Sequence, residues 1–275
     1  MRDPSNLMSS ANIVEVDGLR IVASSDGTPL VDGLSFSLPR GGSVGLVGES
    51  GSGKSLTALA IIGLLPAGLA ASGRVNVVGK NVVGMTKAEL RTMRGSEVGM
   101  VFQDPFTALN PVFTIQAQMF AVLRGHAKSS LSRTELRRRA TDALLDVGLR
   151  DPKAILEKYS FQLSGGQAQR VAIAMALIPE PLLLIADEPT TALDVTVQDR
   201  ILQLLEGLRA KRDFSLLFIS HDLAVVARMC EQLCIVKDGQ VVESGETTRI
   251  IADPKAAYTR LLLESVVDFS ALREE

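Results

Sequence analysis

At 275 residues and 46% apolar content, the chain can form one large or two ordinary domains and bury a sizeable core. Its 29 basic and 31 acidic side chains leave a formal net charge of -2, which excludes a general electrostatic attraction to nucleic acid or anionic lipid. Its two cysteines, Cys230 and Cys234, have no histidine near them and read as core packing in a reducing setting rather than as a metal or disulfide pair.

The N-terminal stretch MRDPSNLMSSANIVEVDG lacks the basic region and long apolar run of a secretory signal, so no cleaved leader is expected. From residue 12 to 47 the pieces NIVEVDGLRIVA, LVDGLSFSLP and RGGSVGLVG, separated by turn signals, predict an antiparallel hairpin system leading into a buried strand. VGLVG meets GESGSGKS and then LTALAIIGLL, giving strand, glycine loop and helix, with Pro66 marking the helix end. GRVNVVGKNVV predicts another hairpin, and EVGMVFQDP a strand ending at Gln103.

From residue 104 to about 163 the pattern turns helical. TIQAQMFAVL is one helix; the next begins at Ser132, whose spacing to Glu135 fits a capping box, and carries Leu136, Ala140, Ala143, Leu144 and Val147 on its apolar side. The basic run Arg137 to Arg139 reads as the solvated face of that helix, with a nucleic-acid patch as the alternative. After LSGGQ, a helix through VAIAMAL stops at Pro179, and PLLLIADE predicts a central parallel strand with two carboxylates at its end. DVTVQDRILQLLEGLRAK is a helix, SLLFIS a buried strand, HDLAVVARM a helix, VKDGQVVESG a hairpin and AAYTRLLLES a last helix. The greasiest stretches, LTALAIIGLLPAGLAA and VAIAMALIPEPLLLIAD, are each broken by proline well before the roughly 20 apolar residues that a membrane span needs. The expected fold class is α/β: a phosphate-loop core, built around the strand, glycine loop and helix, with an antiparallel β subdomain and an inserted helical subdomain at about 104–163, all within one domain over 1–275.

GESGSGKS matches the GxxxxGKS phosphate-loop pattern at Gly48, Glu49, Ser50, Gly51, Ser52, Gly53, Lys54 and Ser55. Its glycines let backbone amides turn inward around phosphate oxygens, Lys54 can neutralise the β and γ phosphates, and Ser55 can ligate magnesium. A dinucleotide fold fits less well, because GSGKS lacks the last glycine of GxGxxG. Asp187 is placed to hold hydrated magnesium and Glu188 to polarise an attacking water. Gln103 can contact magnesium or water while sensing movement of the helical insert. His221 has two open readings, a contact to the γ-phosphate or the water, and a cap on the following helix. Ser164, Gly165, Gly166 and Gln167 open the VAIAMAL helix and form a second anion grip, separated from Lys54 by the helical insert.

Taken together, GESGSGKS, Gln103, LSGGQ at 163–167, LLLIADE, TALD at 191–194 and His221 resemble, in order and over nearly the whole chain, the nucleotide-binding subunit of an ABC transporter. The resemblance implies ATP and Mg2+ as ligands, with the phosphate loop of one protomer and the LSGGQ of its partner on opposite sides of each ATP. It implies a second ABC ATPase subunit, identical or homologous, two membrane-spanning permease subunits, and an external substrate-binding protein acting through them. The chain would then sit peripherally on the cytoplasmic face of the membrane, with no nucleic acid partner. FQDPFTALNP, YSFQLSGGQAQR, ADEPTTALDVTVQ and AAYTRLLLES narrow the resemblance to importers of oligopeptides, dipeptides, or nickel and related metal complexes.

Two departures stand out. The aromatic that stacks on adenine in the family is replaced by Val22 and Ala23 in LRIVASSDG, and the chain ends ten residues after LLLES without the cysteine-containing extension of many peptide importers. With GLLPAG after the phosphate-loop helix, the second departure tilts the expected cargo toward nickel or a metal complex over short peptides. The alternative function is a soluble ABC ATPase in DNA repair or translation, which the short insert and the lack of a basic surface disfavour.

Overall fold

The computed structural model describes residues 12–126, 131–191 and 193–265. Most of the N-terminal stretch read for a leader, and Ala192 of the TALD segment, lie outside the described residues. The chain divides into two units, one made of the residues up to Leu90 and from Ser215 onward, the other of Arg91–Phe214.

Strands β1 (Asn12–Ala23) and β2 (Pro29–Pro39) pair antiparallel, as their alternating patterns predict. β3 (Ser43–Val47) is buried at every position and feeds the glycine loop, from which α1 (Lys54–Ile61) emerges. Pro66 is not what ends α1. Gly63 adopts a φ of 63°, its N–H bonds Ala60 O at 3.1 Å, and the Leu64 N–H bonds Leu59 O at 2.8 Å. That left-handed cap satisfies the last carbonyls three residues before the proline. β4 (Leu69–Val77) pairs antiparallel with β1, and Val78 (φ 51°) and Gly79 (φ 74°) turn the chain into β5 (Lys80–Asn81). The resulting sheet has the order β2-β1-β4-β5. Its buried face carries Val14, Val16, Leu19, Ile21, Leu34, Leu38 and Val75, each contributing about 1.5–3 kcal/mol by burial.

Helix α2 (Lys87–Ser96) was not expected from the apolar pattern; it opens on a capping box in which the Thr86 N–H donates to Glu89 Oε2 at 2.8 Å and the Glu89 N–H to Thr86 Oγ1 at 3.3 Å. β6 (Val98–Val101) stops two residues short of Gln103, which therefore lies in the following loop. The helical run comprises α3 (Pro105–Ala108), α4 (Ile115–His126), α5 (Arg133–Asp146), α6 (Pro152–Glu157) and a 3-10 turn at Ser160–Gln162. α5 starts at the expected Ser132 with half of the expected capping box: Ser132 Oγ accepts the Glu135 N–H at 3.2 Å, and Leu136, Ala140, Ala143, Leu144 and Val147 are buried. The Glu135 carboxylate turns outward to Arg138 and Arg139, whose hydrogen bonds hold its pKa down at about 2. Arg137, Arg138 and Arg139 are about half exposed, the solvated face expected of them.

Helix α7 (Gly165–Leu177) leads to β7 (Leu183–Asp187), buried throughout and parallel to β6 from Val98↔Leu183 to Val101↔Ala186. α7 crosses β6 closely at Gly99, where an added Cβ would meet Ala176 O at 2.4 Å. α8 (Val195–Lys211) begins on Asp194, whose carboxylate accepts the Val197 N–H at 3.0 Å. β8 (Ser215–Ser220), α9 (Leu223–Met229), β9 (Gln232–Lys237), β10 (Gln240–Glu246), α10 (Thr247–Ala252) and α11 (Ala257–Glu264) complete the described chain. In the first unit β10, β9, β3 and β8 lie in that order, with β3 parallel to both neighbours and β10 antiparallel to β9. Cys230 and Cys234 are both buried, and burial pushes the Cys234 thiol up to about 12, which suits packing. Among the described residues, no helix is long and apolar enough to cross a membrane.

Candidate functional site

The first unit builds the phosphate loop between a fully buried strand and a helix with no side-chain cap. Three glycines give the loop its shape. An added Cβ at Gly48 would stand 2.0 Å from Val236 O; Gly51 takes φ 84°, and Gly53, at φ 93°, is the N-cap of α1. Because Gly53 offers no side-chain acceptor, the positive end of the α1 dipole faces the loop without a capping side chain, a setting that favours an anion. Lys54 is 4% exposed, and its ammonium donates to Gly48 O and Glu49 O, both at 2.7 Å, and to Ser52 Oγ at 3.3 Å. A buried ammonium wrapped by a glycine loop at a helix N-terminus is a receptor for phosphate oxygens. Ser55 follows on the first turn, exposed.

His221 leaves β8 where the phosphate loop leaves β3. Val47 pairs with Ser220 across the parallel ladder, so Gly48 and His221 are the next residues on adjacent strands. The capping reading of His221 is replaced by its neighbour: Asp222 Oδ1 accepts the Ala224 N–H at 2.9 Å and the Val225 N–H at 3.2 Å, and His221 is exposed beside this cap.

In the second unit the parallel pair β6 and β7 does the same for the acidic residues. Val101 pairs with Ala186, so Gln103 and the pair Asp187 and Glu188 emerge at one end of adjacent strands. Asp187 is 7% exposed. Glu188 sits just past β7 with φ 45°, a conformation that costs a non-glycine residue about 1–3 kcal/mol and persists because surrounding bonds hold it. Its Oε2 accepts from Thr191 Oγ1 at 2.8 Å and from Gln103 Nε2 at 3.2 Å. Gln103 is thereby tied directly to the carboxylate that the sequence assigned to the water. Sequence reasoning named the TALD segment but gave Thr191 no role; its signal was an alcohol three residues after the acid, within reach of a turn.

The second anion grip lies at the start of α7. Ser164 is its N-cap: Ser164 Oγ accepts the Gln167 N–H at 3.3 Å, and Gln167 Oε1 accepts the Ser164 N–H at 3.2 Å, a reciprocal capping box. Gln167, expected as a phosphate contact, thus uses its N–H and its carbonyl oxygen to shape the turn. The amides of Gly165 and Gly166, in the first turn, have no intrahelical acceptor and remain as donors. An added Cβ at Gly166 would come 2.9 Å from Val197 Cγ1. Arg170 anchors the same helix by donating to Val147 O at 2.5 Å, its pKa lowered by burial and then by Arg200.

Comparison with known proteins agrees with these features. Residues 31–191 match the family described as ABC transporter. The chain is 48% identical over 235 residues to the peptidoglycan transport ATP-binding protein YejF of Agrobacterium fabrum, covering 85% of this chain but only 43% of that protein. It is 42% identical over 265 residues to the dipeptide transport ATP-binding protein DppD of Escherichia coli, covering 95% of this chain and 80% of that protein. Among solved structures, the ATP-binding cassette MJ0796, a dimer in a post-hydrolysis state bound to ADP and Pi, matches with a TM-score of 0.76 at 29% identity, over 85% of this chain and 98% of that one. The fold is that of an ABC ATPase, with a phosphate-loop core, an antiparallel sheet and inserted helices. The chain belongs to the ABC transporter family, as an ATP-binding subunit that hydrolyses ATP.

Proposed function

We propose that this chain powers the import of short peptides through a membrane ABC transporter by hydrolysing ATP on its phosphate loop. The observation that carries the reading is the buried Lys54 ammonium inside the glycine loop, a fixed positive charge at an uncapped helix N-terminus. The later amides of the loop, beyond Glu49, bind and orient the β and γ phosphates, and Lys54 neutralises charge that develops on them. Magnesium, when bound, supplies further charge neutralisation; Ser55, Asp187 and Gln103 offer the oxygen donors that ion takes, and we assign them to hold it. Glu188, oriented by Thr191 and Gln103, polarises the attacking water. His221 donates to the γ-phosphate or orders the water.

Ser164, Gly165 and Gly166 act on the nucleotide of a second ATPase chain, identical or homologous. The dimeric state of the similar MJ0796 cassette supports this. Two permease subunits and an external substrate-binding protein complete the assembly, and the chain works peripherally at the cytoplasmic face of the membrane. We hold residues 1–275 to be one nucleotide-binding domain with its helical subdomain at about 104–163. For cargo, the name of the similar dipeptide transport protein DppD favours peptides over the metal complexes that the sequence alone tilted toward. That tilt rested on GLLPAG and on where the chain stops, neither of which touches cargo.

Replacing Lys54→Ala in the assembled transporter tests the catalytic reading. Hydrolysis is expected to collapse with the fold intact, and near-normal hydrolysis would overturn the assignment. Cargo is read separately by measuring binding of short peptides, nickel and nickel chelates to the external binding protein. Affinity for nickel species alone would reverse the peptide reading without touching the catalytic one.

A further inference from the structure

We propose that Tyr258, on the last described helix, is a positioning residue for the phosphate loop, and that nucleotide affinity therefore depends on how α11 is docked. The inference rests on the phosphate-loop reading above. Tyr258 is 8% exposed, and its hydroxyl oxygen accepts the Glu49 N–H at 3.0 Å across 209 residues of sequence. Its ring lies under Lys237, whose Nζ is 5.0 Å from the ring centroid. Lys237 ends β9, and the turn that follows touches the same loop: the Gly239 N–H donates to Ser52 O at 3.2 Å. α11 is itself pinned, because the Glu243 carboxylate on β10 accepts the Lys255 N–H at 2.9 Å and the Ala256 N–H at 3.0 Å just before the helix.

The outer side of the loop is thus held by α11 and the β9–β10 turn, while Lys54 is held within it. A loop this rich in glycine has many backbone states, and fixing each residue costs about 1–2 kcal/mol in conformational entropy. A phenol that captures the Glu49 amide removes part of that freedom before nucleotide arrives. It also keeps this N–H turned away from the phosphates, so the later amides of the loop converge without competition. The gain is preorganisation, and it should appear in affinity rather than in the chemical step.

Tyr258→Phe keeps the ring over Lys237 and deletes only the acceptor. In the assembled transporter, the KM for ATP is expected to rise about 3- to 10-fold, the loss of one ordinary hydrogen bond, with kcat changed by less than about 2-fold. The melting temperature without nucleotide should fall by no more than roughly 1–3 °C, the cost of one hydrogen bond in a chain of this size. On the purified chain, hydrogen exchange at the Glu49 amide should accelerate in the variant, which reads the bond directly whether or not the transporter assembles. An unchanged KM, or an unchanged Glu49 exchange rate, overturns the inference. A lowered melting temperature with wild-type KM also overturns it, leaving Tyr258 a packing residue. Lys54→Ala run alongside separates the two ideas: if it hydrolyses ATP normally, the phosphate-loop reading has failed; if it is inactive while Tyr258→Phe is wild type, only the role of Tyr258 has.

Discussion

Two helix starts in this chain carry anion-binding sequence, and they are built differently. At α1 the N-cap is a left-handed glycine with no side chain to offer, and the adjoining lysine is buried among loop carbonyls. At α7 the N-cap is a serine locked with Gln167 in a reciprocal box, its exposed hydroxyl already accepting a backbone amide. The first start depends on outside support, from β9, the Gly239 turn and Tyr258, for a shape its own residues do not enforce. The second shapes its own cap and presents the Ser164 hydroxyl hydrogen beside the amides of Gly165 and Gly166. A receptor that must enclose phosphates has to leave its donors uncapped; one that presses on a ligand from one side can keep its own cap.

The contrast breaks most visibly at Lys54. Lys54→Ala removes the only side-chain cation of the loop, and hydrolysis by the assembled transporter is expected to fall about 10²- to 10³-fold, the scale of losing one preorganised charge-stabilising donor. Nucleotide affinity should fall with it. A loss confined to kcat at wild-type affinity would mean that the lysine serves the chemical step alone.

Ser164→Arg should come next, with hydrolysis reduced about 10- to 100-fold and ATP binding to the phosphate loop changed by less than about 2-fold. Arginine cannot replace serine as an N-cap, which costs the helix about 1 kcal/mol, and its bulk covers the Gly165 and Gly166 amides. Ser164→Asp sharpens the result by keeping a good cap while placing a negative charge where phosphate should come. Both variants should lose ATP-dependent crosslinking between two ATPase chains. Unchanged crosslinking and hydrolysis in both would end the two-chain reading of the second grip.

Much of this layout is legible in the residues because motif and periodicity coincide. VGLVG, LLLIAD and SLLFIS are apolar runs too short for helices and flanked by turn chemistry, and each became a buried strand ending at a named site residue or just before one. The Ser132 start of α5 and its buried positions were readable for the same reason. Helix α2 is hard to read in the residues because TKAELRTMRGS has few apolar positions to mark a face, although Thr86 and Glu89 announce its start. α10, at six residues, is too short to show a period. Pro66 is the conspicuous stop signal, but Gly63, placed for a left-handed cap, ends the helix first. The Thr191 bond to Glu188 and the Tyr258 bond to Glu49 depend on how turns and helices fold back, which no local pattern reports.

The smallest expected effect belongs to Gln167, and it decides what kind of residue that is. Its side-chain oxygen holds the Ser164 N–H and its backbone N–H holds Ser164 Oγ, so Gln167→Ala deletes one half of the capping box and leaves the other. One exposed hydrogen bond at a helix start is worth about 0.5–1 kcal/mol, which in a chain of this size corresponds to a drop of roughly 1–3 °C in melting temperature. The Gly165 and Gly166 amides stay in place because α7 is also held by Arg170 on Val147 O and by the close packing of Gly166 on Val197. Hydrolysis and ATP-dependent crosslinking should therefore stay within about 2-fold of wild type, in contrast to Ser164→Arg. If Gln167→Ala instead lost closure as completely as Ser164→Arg while melting normally, its amide would have to reach the nucleotide itself, and the second helix start would be as dependent on its ligand as the first.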